Sequence, residues 1–78
     1  MTLTIARTLD CKGLSCPMPI VKTVQAIRTM TAGDLIEVLA TDPGSVKDFA
    51  AWSKATGNEL VETGQTAGVF SFVLMKKR

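Results

Sequence analysis

Leu9-Asp10-Cys11-Lys12-Gly13-Leu14-Ser15-Cys16-Pro17-Met18-Pro19-Ile20-Val21 is the stretch on which the chain turns. It holds both cysteines and two of the three prolines. Before it, residues 3–10 alternate: Leu3, Ile5 and Leu9 against Thr4, Ala6, Thr8 and Asp10. That is the period of a half-buried strand. Only Arg7 breaks the apolar phase, and Lys12-Gly13 ends the strand. After it the period becomes helical, from Pro17 to about Ala32. Ile20, Val24, Ile27 and Thr31 fall on one line with Val21 and Met30 beside it, and Lys22, Gln25, Ala26 and Thr29 lie opposite. Pro17 suits the first helical position, where no N–H is needed, and Gly33 suits the stop.

The remaining elements follow outward from this strand–turn–helix. Residues 34–41 alternate again, with Ile36, Val38 and Ala40 on one face and Leu35, Glu37, Leu39 and Thr41 on the wetter one. Asp42-Pro43-Gly44-Ser45 opens a second helix. Asp42 is one candidate cap, and Ser45 with Asp48 three residues on is the other. This helix runs to about Thr56 and stops at Gly57. Its expected inward face is Val46, Phe49, Ala50 and Ser53, with Trp52 to one side and partly buried. A short strand over 58–63, a hairpin loop over 64–68 and a last strand over 69–76 complete the chain, with a basic tail at Lys76, Lys77 and Arg78. Phe70, Phe72 and Leu74 share one face of the last strand. The order βαβαββ predicts an α/β (α+β) two-layer sandwich, with two helices on one face of a four-stranded mixed sheet. The other sheet face would carry Leu35, Leu39, Val69, Val73 and Met75. Either a partner or second copy covers it, or neighbouring side chains half-cover it.

Composition bounds the function. With 78 residues the chain is one domain, residues 1–78, too short for an elaborate enclosed pocket. A net charge of +2 is too weak to argue for nucleic acid. No apolar run approaches the roughly 20 residues of a membrane span, and the N-terminal residues do not resemble a secretory signal. The expected setting is therefore cytoplasmic, with both cysteines as free thiols. Histidine is absent, which removes the commonest general base and the commonest zinc ligand. No metal and no cofactor are expected.

The chemistry concentrates on Cys16. At the N-cap of the first helix, or one residue before it, its sulfur would meet the positive end of the helix dipole and outward-pointing N–H groups. Such surroundings lower a thiol from about 8.5 to below about 7.5 and favour the nucleophilic thiolate. Pro17 and Pro19, placed at the first and third helical positions, stiffen the turn and leave Met18 and Ile20 as its free donors. Lys12 and Lys22 are the nearest cations in sequence, and Gly13 supplies the turn. Spacing alone leaves open the alternative that Cys16 is a packed helix cap. Cys11 ends the first strand as a small residue. Its Cys-x4-Cys spacing to Cys16 is not that of a Cys-x-x-Cys redox site, and a Cys11–Cys16 disulfide around Gly13, or a role as second thiol, is the other option.

The string Leu9-Asp10-x-x-Gly13-Leu14-x-Cys16-Pro17-x-Pro19 resembles the TusA/SirA-like sulfur-carrier family, whose signature is a Cys-Pro-x-Pro turn opening the first helix. The likeness continues through Gly33-Asp34, Ala40-Thr41-Asp42-Pro43-Gly44 and Thr56-Gly57-Asn58-Glu59-Leu60, so it covers essentially the whole chain. It implies a fold like the C-terminal domain of translation initiation factor 3, with sheet order 1-2-4-3. It implies that Cys16 takes a sulfane sulfur, as persulfide or thiosulfonate, and hands it to another protein in a sulfurtransferase-type relay. The donor would be a desulfurase or rhodanese-type protein, and the acceptor serves tRNA thiolation, cofactor sulfuration or sulfur oxidation. No direct nucleic-acid or membrane contact is implied, and the carrier is a monomer or weak homodimer. Asn58 stands where many relatives have histidine. The rival from another class is a non-catalytic interaction module that binds a partner through its open sheet face and Trp52.

Overall fold

The computed structural model describes residues 5–15 and 17–77. Cys16 lies outside the described residues, as do the expected strand positions Leu3 and Thr4 and the tail residue Arg78. Six elements follow in the order β1 (Ile5–Cys11), α1 (Met18–Ile27), β2 (Leu35–Ala40), α2 (Gly44–Thr56), β3 (Glu59–Thr66) and β4 (Val69–Met75). The strands form one sheet in the order β1-β2-β4-β3, with β1 and β2 parallel and the other two pairs antiparallel. Sheet order and element order both match the expectation.

The alternation of β2 and β4 sets the core. Ile36, Val38 and Ala40 pair with Leu74, Phe72 and Phe70, and all but Phe70 are essentially inaccessible. Leu9 and Cys11 continue this face on β1, opposite Val38 and Ala40. Phe49 of α2 closes the layer: it is wholly buried, stacked on Phe72 at 4.5 Å and edge-on to Trp52 at 6.3 Å. A register shift between Ile5 and Arg7 puts Arg7 on the helix side, where its guanidinium donates to Thr29 Oγ1 at 3.1 Å.

Both helices are rotated from the expected faces. In α1 the buried residues are Pro19, Thr23, Ala26 and Ile27, whereas Val21 is exposed. Small side chains let the helix approach the sheet. Thr23 tolerates full burial because its hydroxyl donates to the Pro19 carbonyl at 2.8 Å. In α2, Ser45 and Phe49 point inward, while Val46 and Ala50 face out. Ser45 is held inward by donating to the Asp42 carbonyl at 2.6 Å.

Two boundaries also differ. α1 ends at Ile27, five residues before the expected Ala32, and continues as tighter turns from Thr29 to Ala26 and from Met30 to Ile27. The Thr29 hydroxyl takes part by donating to the Ala26 carbonyl at 2.9 Å. Gly33 is therefore not the helix stop. It has φ +91°, and its N–H donates to the Lys76 carbonyl at 2.8 Å. The expected loop over 64–68 is a two-residue turn. Ala67 and Gly68 both have positive φ, so the ladder runs on to Thr66–Val69.

Ala67, at φ +51°, is the one described non-glycine residue with positive φ. A Cβ there costs about 1 kcal/mol, and asparagine tolerates the region better. Ala67→Asn is expected to raise the urea midpoint by an amount equivalent to about 0.5–1 kcal/mol without changing the slope. An unchanged midpoint would show that the turn carries no strain.

Candidate functional site

The topology gathers three loops at one end of the sheet. β1 and β2 run parallel, so the β1–α1 and β2–α2 connections leave from the same edge. β3 runs antiparallel to β4 and β4 antiparallel to β2, so the Ala67-Gly68 turn lies there too. Both helices consequently start at this end, and their positive dipole ends point the same way.

The two helix starts are treated differently. At α2, the Asp42 carboxylate accepts the Gly44 N–H at 3.0 Å, and the Asp42 carbonyl accepts the Ser45 N–H at 3.0 Å. Neither candidate is the N-cap, which is Pro43; Asp42 stands one residue before it and Ser45 is the second residue of the helix. At α1 no side-chain cap bond is present among the described residues, and the first turn has no acidic residue. α2 likewise has no side-chain bond from its N-cap and no acid in its first turn; it differs in the Asp42 carboxylate one residue before its N-cap, for which α1 shows no counterpart among the described residues.

Pro17 is the N-cap, with φ −99° and ψ 18°, and Pro19 is the second helical residue. Each proline sits one position earlier than expected, because the Ser15 carbonyl accepts the Met18 N–H at 2.9 Å and closes a turn before the helix begins. That bond removes Met18 from the expected pair of free donors. Met18 is exposed, Pro19 is buried and Ile20 packs half-buried against the core.

The loop before the helix is held at both ends. Gly13 has φ +83°, and its N–H donates to Thr41 Oγ1 at 2.9 Å, which ties the β1–α1 loop to the end of β2. Thr41 was not among the expected site residues; the sequence placed it only on the wetter face of the second strand and in a family string, and its one signal was the hydroxyl just after a buried strand. The Lys12 N–H donates to Asp10 Oδ1 at 3.0 Å, and the Lys12 ammonium stands 4.0 Å from Asp10 Oδ2. That exposed pair adds little stability. Leu14 donates to the Cys11 carbonyl at 3.2 Å and packs against the core.

Cys11 is the last residue of β1, a free thiol with no accessible surface. Burial pushes its thiol up, Asp10 adds to the rise and Lys22 opposes it. A raised value keeps the thiol protonated and unreactive at neutral pH. The sign follows from linkage: the native state holds this proton above the unfolded thiol's value of about 8.5, so its contribution is intact below that pH and is lost as pH climbs past it. Cys11→Ala is expected to keep the fold and to lessen the alkaline loss of stability, read as melting temperature between neutral and alkaline pH. A variant that melts with the same alkaline slope as the parent would remove Cys11 from that role.

Asn58 acts as a staple. Its side-chain carbonyl accepts the Lys77 N–H at 2.9 Å, and its amide donates to Thr56 Oγ1 at 3.1 Å. It joins the end of α2 to the end of β4, at the edge away from Gly13 and Pro17. A groove of about 270 Å³ lies between α2 and the β3–β4 pair, lined by Val46, Thr63, Gly64, Gln65, Phe70 and Phe72. None of the predicted site residues line it. Among the described residues no group of three Cys, Asp or Glu is placed to hold a metal ion, and no helix is long and apolar enough to cross a membrane.

The family model for sulfurtransferase TusA matches residues 7–76. The sulfur carrier protein TusA of Allochromatium vinosum is 48% identical over 68 residues, covering 87% of this chain and 90% of that one. The protein of the same name from Pseudomonas putida is 38% identical over 69 residues, covering 88% and 86%. The crystal structure of a SirA-like protein from Desulfitobacterium hafniense superposes with a TM-score of 0.79 at 22% identity, covering 92% of this chain and 99% of that one. This last match concerns the fold. With the family model matching residues 7–76 and a TusA relative 48% identical over 87% of the chain, the chain belongs to the TusA sulfurtransferase family.

Proposed function

We propose that the chain is a sulfur carrier that holds sulfane sulfur as a persulfide on Cys16 and passes it between proteins. The observation that carries this reading is the α1 start that follows Cys16 in sequence: it has no side-chain cap among the described residues and no acid in its first turn. Such a helix end favours an anion. A thiolate and a terminal persulfide are both anions, so one field serves the empty and the loaded carrier. The relatives' names as sulfur carriers support the same reading.

The relay needs no proton and no net oxidation. The Cys16 thiolate attacks the outer sulfur of a donor persulfide, the donor's S–S bond breaks and the donor leaves as a thiolate. An acceptor thiolate then attacks the outer sulfur on Cys16 and releases the Cys16 thiolate. With thiosulfate as source, sulfite is the leaving group. The chain has no histidine, and the relay requires none.

Donor and acceptor proteins meet the carrier at this end and along α1. Met18 and Val21 are exposed apolar residues there, Lys22 is exposed on the same helix and Arg28 at its end. Exposed apolar side chains beside a reactive loop suit transient docking. Cys11 takes no part in the exchange, since a wholly buried thiol cannot reach a partner's sulfur.

The test is intact-protein mass spectrometry after incubation with a cysteine desulfurase and cysteine. A gain of one sulfur atom, lost on treatment with a thiol reductant, is expected. An unmodified mass with a donor that loads another carrier in the same tube would sink the proposal.

A further inference from the structure

The sheet face turned away from the helices is covered by no element, and its pattern of side chains is not random. Cross-strand register gives three rows on it. Thr8, Glu37, Val73 and Glu62 form the middle row, Asp10, Leu39, Ser71 and Gly64 a second, and Ile5, Leu35, Met75 and Glu59 a third. Half-buried Leu35, Leu39 and Met75 make an apolar centre around Val73, which is itself only 6% exposed. Glu37 and Glu62 flank Val73 one strand away on either side, so they stand about 10 Å apart. Asp10 and Glu59 complete an acidic rim, which takes four of the seven acidic residues of the chain.

The cations go elsewhere. Lys22 and Arg28 lie on or at the end of α1, and Lys47 and Lys54 on α2. Arg7 reaches Thr29 on the helix side, the Lys76 ammonium donates to the Met30 carbonyl, and the Lys77 stem lies over Gly57 at the end of α2. Among the described residues only Lys12 stands near the acidic rim, beside Asp10. The domain is thus polarised, with a basic helix layer over a sheet whose free face is acidic around an apolar centre.

We infer that the free sheet face is a second docking surface, for a partner protein that presents Lys or Arg around an apolar centre. Opposite charge steers such a partner to this face, and the half-exposed parts of Leu35, Leu39 and Met75 supply apolar contact. A second copy packed face to face would set Glu37 and Glu62 against their own kind, so like charge disfavours that occupant. Trp52 does not belong to the surface; it packs on Phe49 in the helix layer. The face is opposite the helices, so its partner would leave α1 and the preceding loop open to donor and acceptor. The inference does not depend on what Cys16 carries.

The probe is an 18-residue amphipathic helical peptide of Leu and Lys, with a control in which Glu replaces every Lys. Titrated into isotopically labelled protein at low salt, the Leu/Lys peptide is expected to shift the amides of residues 35–39 and 71–75 and to leave those of α1 and α2 in place. The Glu peptide is expected to shift neither, and added salt should weaken the first binding. Glu37→Lys with Glu62→Lys should weaken it about tenfold. The milder pair Glu37→Gln and Glu62→Gln, which keeps size and folding, should weaken it about threefold. Sulfur loading of both variants should match the parent, which separates this surface from the carrier site. Shifts confined to the helix layer, equal binding of the Glu peptide, no binding, or a concentration-dependent dimer through this face would each overturn the inference.

Discussion

Cys16→Ser is expected to abolish sulfur loading, with no mass gain from a donor that loads the parent. Serine preserves size and polarity, so the loss would be chemical. A hydroxyl does not ionise near neutral pH, whereas a thiol at a helix start does. Cys11→Ala should load as the parent does, which assigns the label to one sulfur. Met18→Glu sharpens the electrostatic part of the proposal. Met18 is the exposed first residue of α1, so a carboxylate there should favour the helix through its dipole by about 0.3–1 kcal/mol. The same charge should disfavour a nearby thiolate and slow iodoacetamide labelling of Cys16 by roughly threefold to tenfold at neutral pH. Stability and reactivity would then move in opposite directions. If labelling of the Met18→Glu protein is as fast as that of the parent, the helix start does not activate the thiol.

Phe49→Ala is expected to be the most damaging single core change, at about 3–5 kcal/mol. Phe49 has no accessible surface and bridges Phe72 below it and Trp52 beside it, so its removal leaves a cavity between the layers. At roughly 0.05–0.15 kcal/mol per residue, 78 residues give a total of about 4–12 kcal/mol. The substitution would therefore remove much of the margin and lower the melting temperature by more than about 10 °C. Val46→Ala is the contrast. The helical pattern placed Val46 inward with Phe49, but it is 43% exposed. Its truncation should cost no more than about 0.5 kcal/mol. Equal losses at the two positions, measured by urea unfolding, would mean that α2 packs on the face its sequence suggested.

The contrast between these two residues shows where local pattern was sufficient. A strand has only two faces, so the alternation in β2 and β4 assigned Ile36, Val38, Ala40, Phe72 and Leu74 to the core without ambiguity. A helix presents a continuous surface, and its rotation depends on which side chains let it approach the sheet. Thr23 and Ser45 look polar in sequence, yet each is buried because its hydroxyl finds a carbonyl within its own helix or turn. Val21 and Val46 were displaced outward in exchange.

The site divides in the same way. Cys16 and its prolines stand out in the sequence because a thiol, two rigid residues and a missing carboxylate are all local properties. Their exact helical positions were not legible. The bond from Met18 to the Ser15 carbonyl moves each proline by one place, and that bond depends on how the loop closes. Thr41 is further still from local reach. Its hydroxyl meets Gly13 across 28 positions only because β1 and β2 lie side by side.

By itself, then, the sequence determined the order of elements, the strand faces and the sheet's apolar inner layer, and it singled out the Cys16 turn as the candidate site. Each of these follows from residue type and period along the chain. The tertiary structure alone decided the rotation of both helices, the burial of Cys11 and the loop's anchor at Thr41. It also decided the gathering of Asp10, Glu37, Glu59 and Glu62 onto one free face. These depend on contacts between residues far apart in sequence, which no local period records.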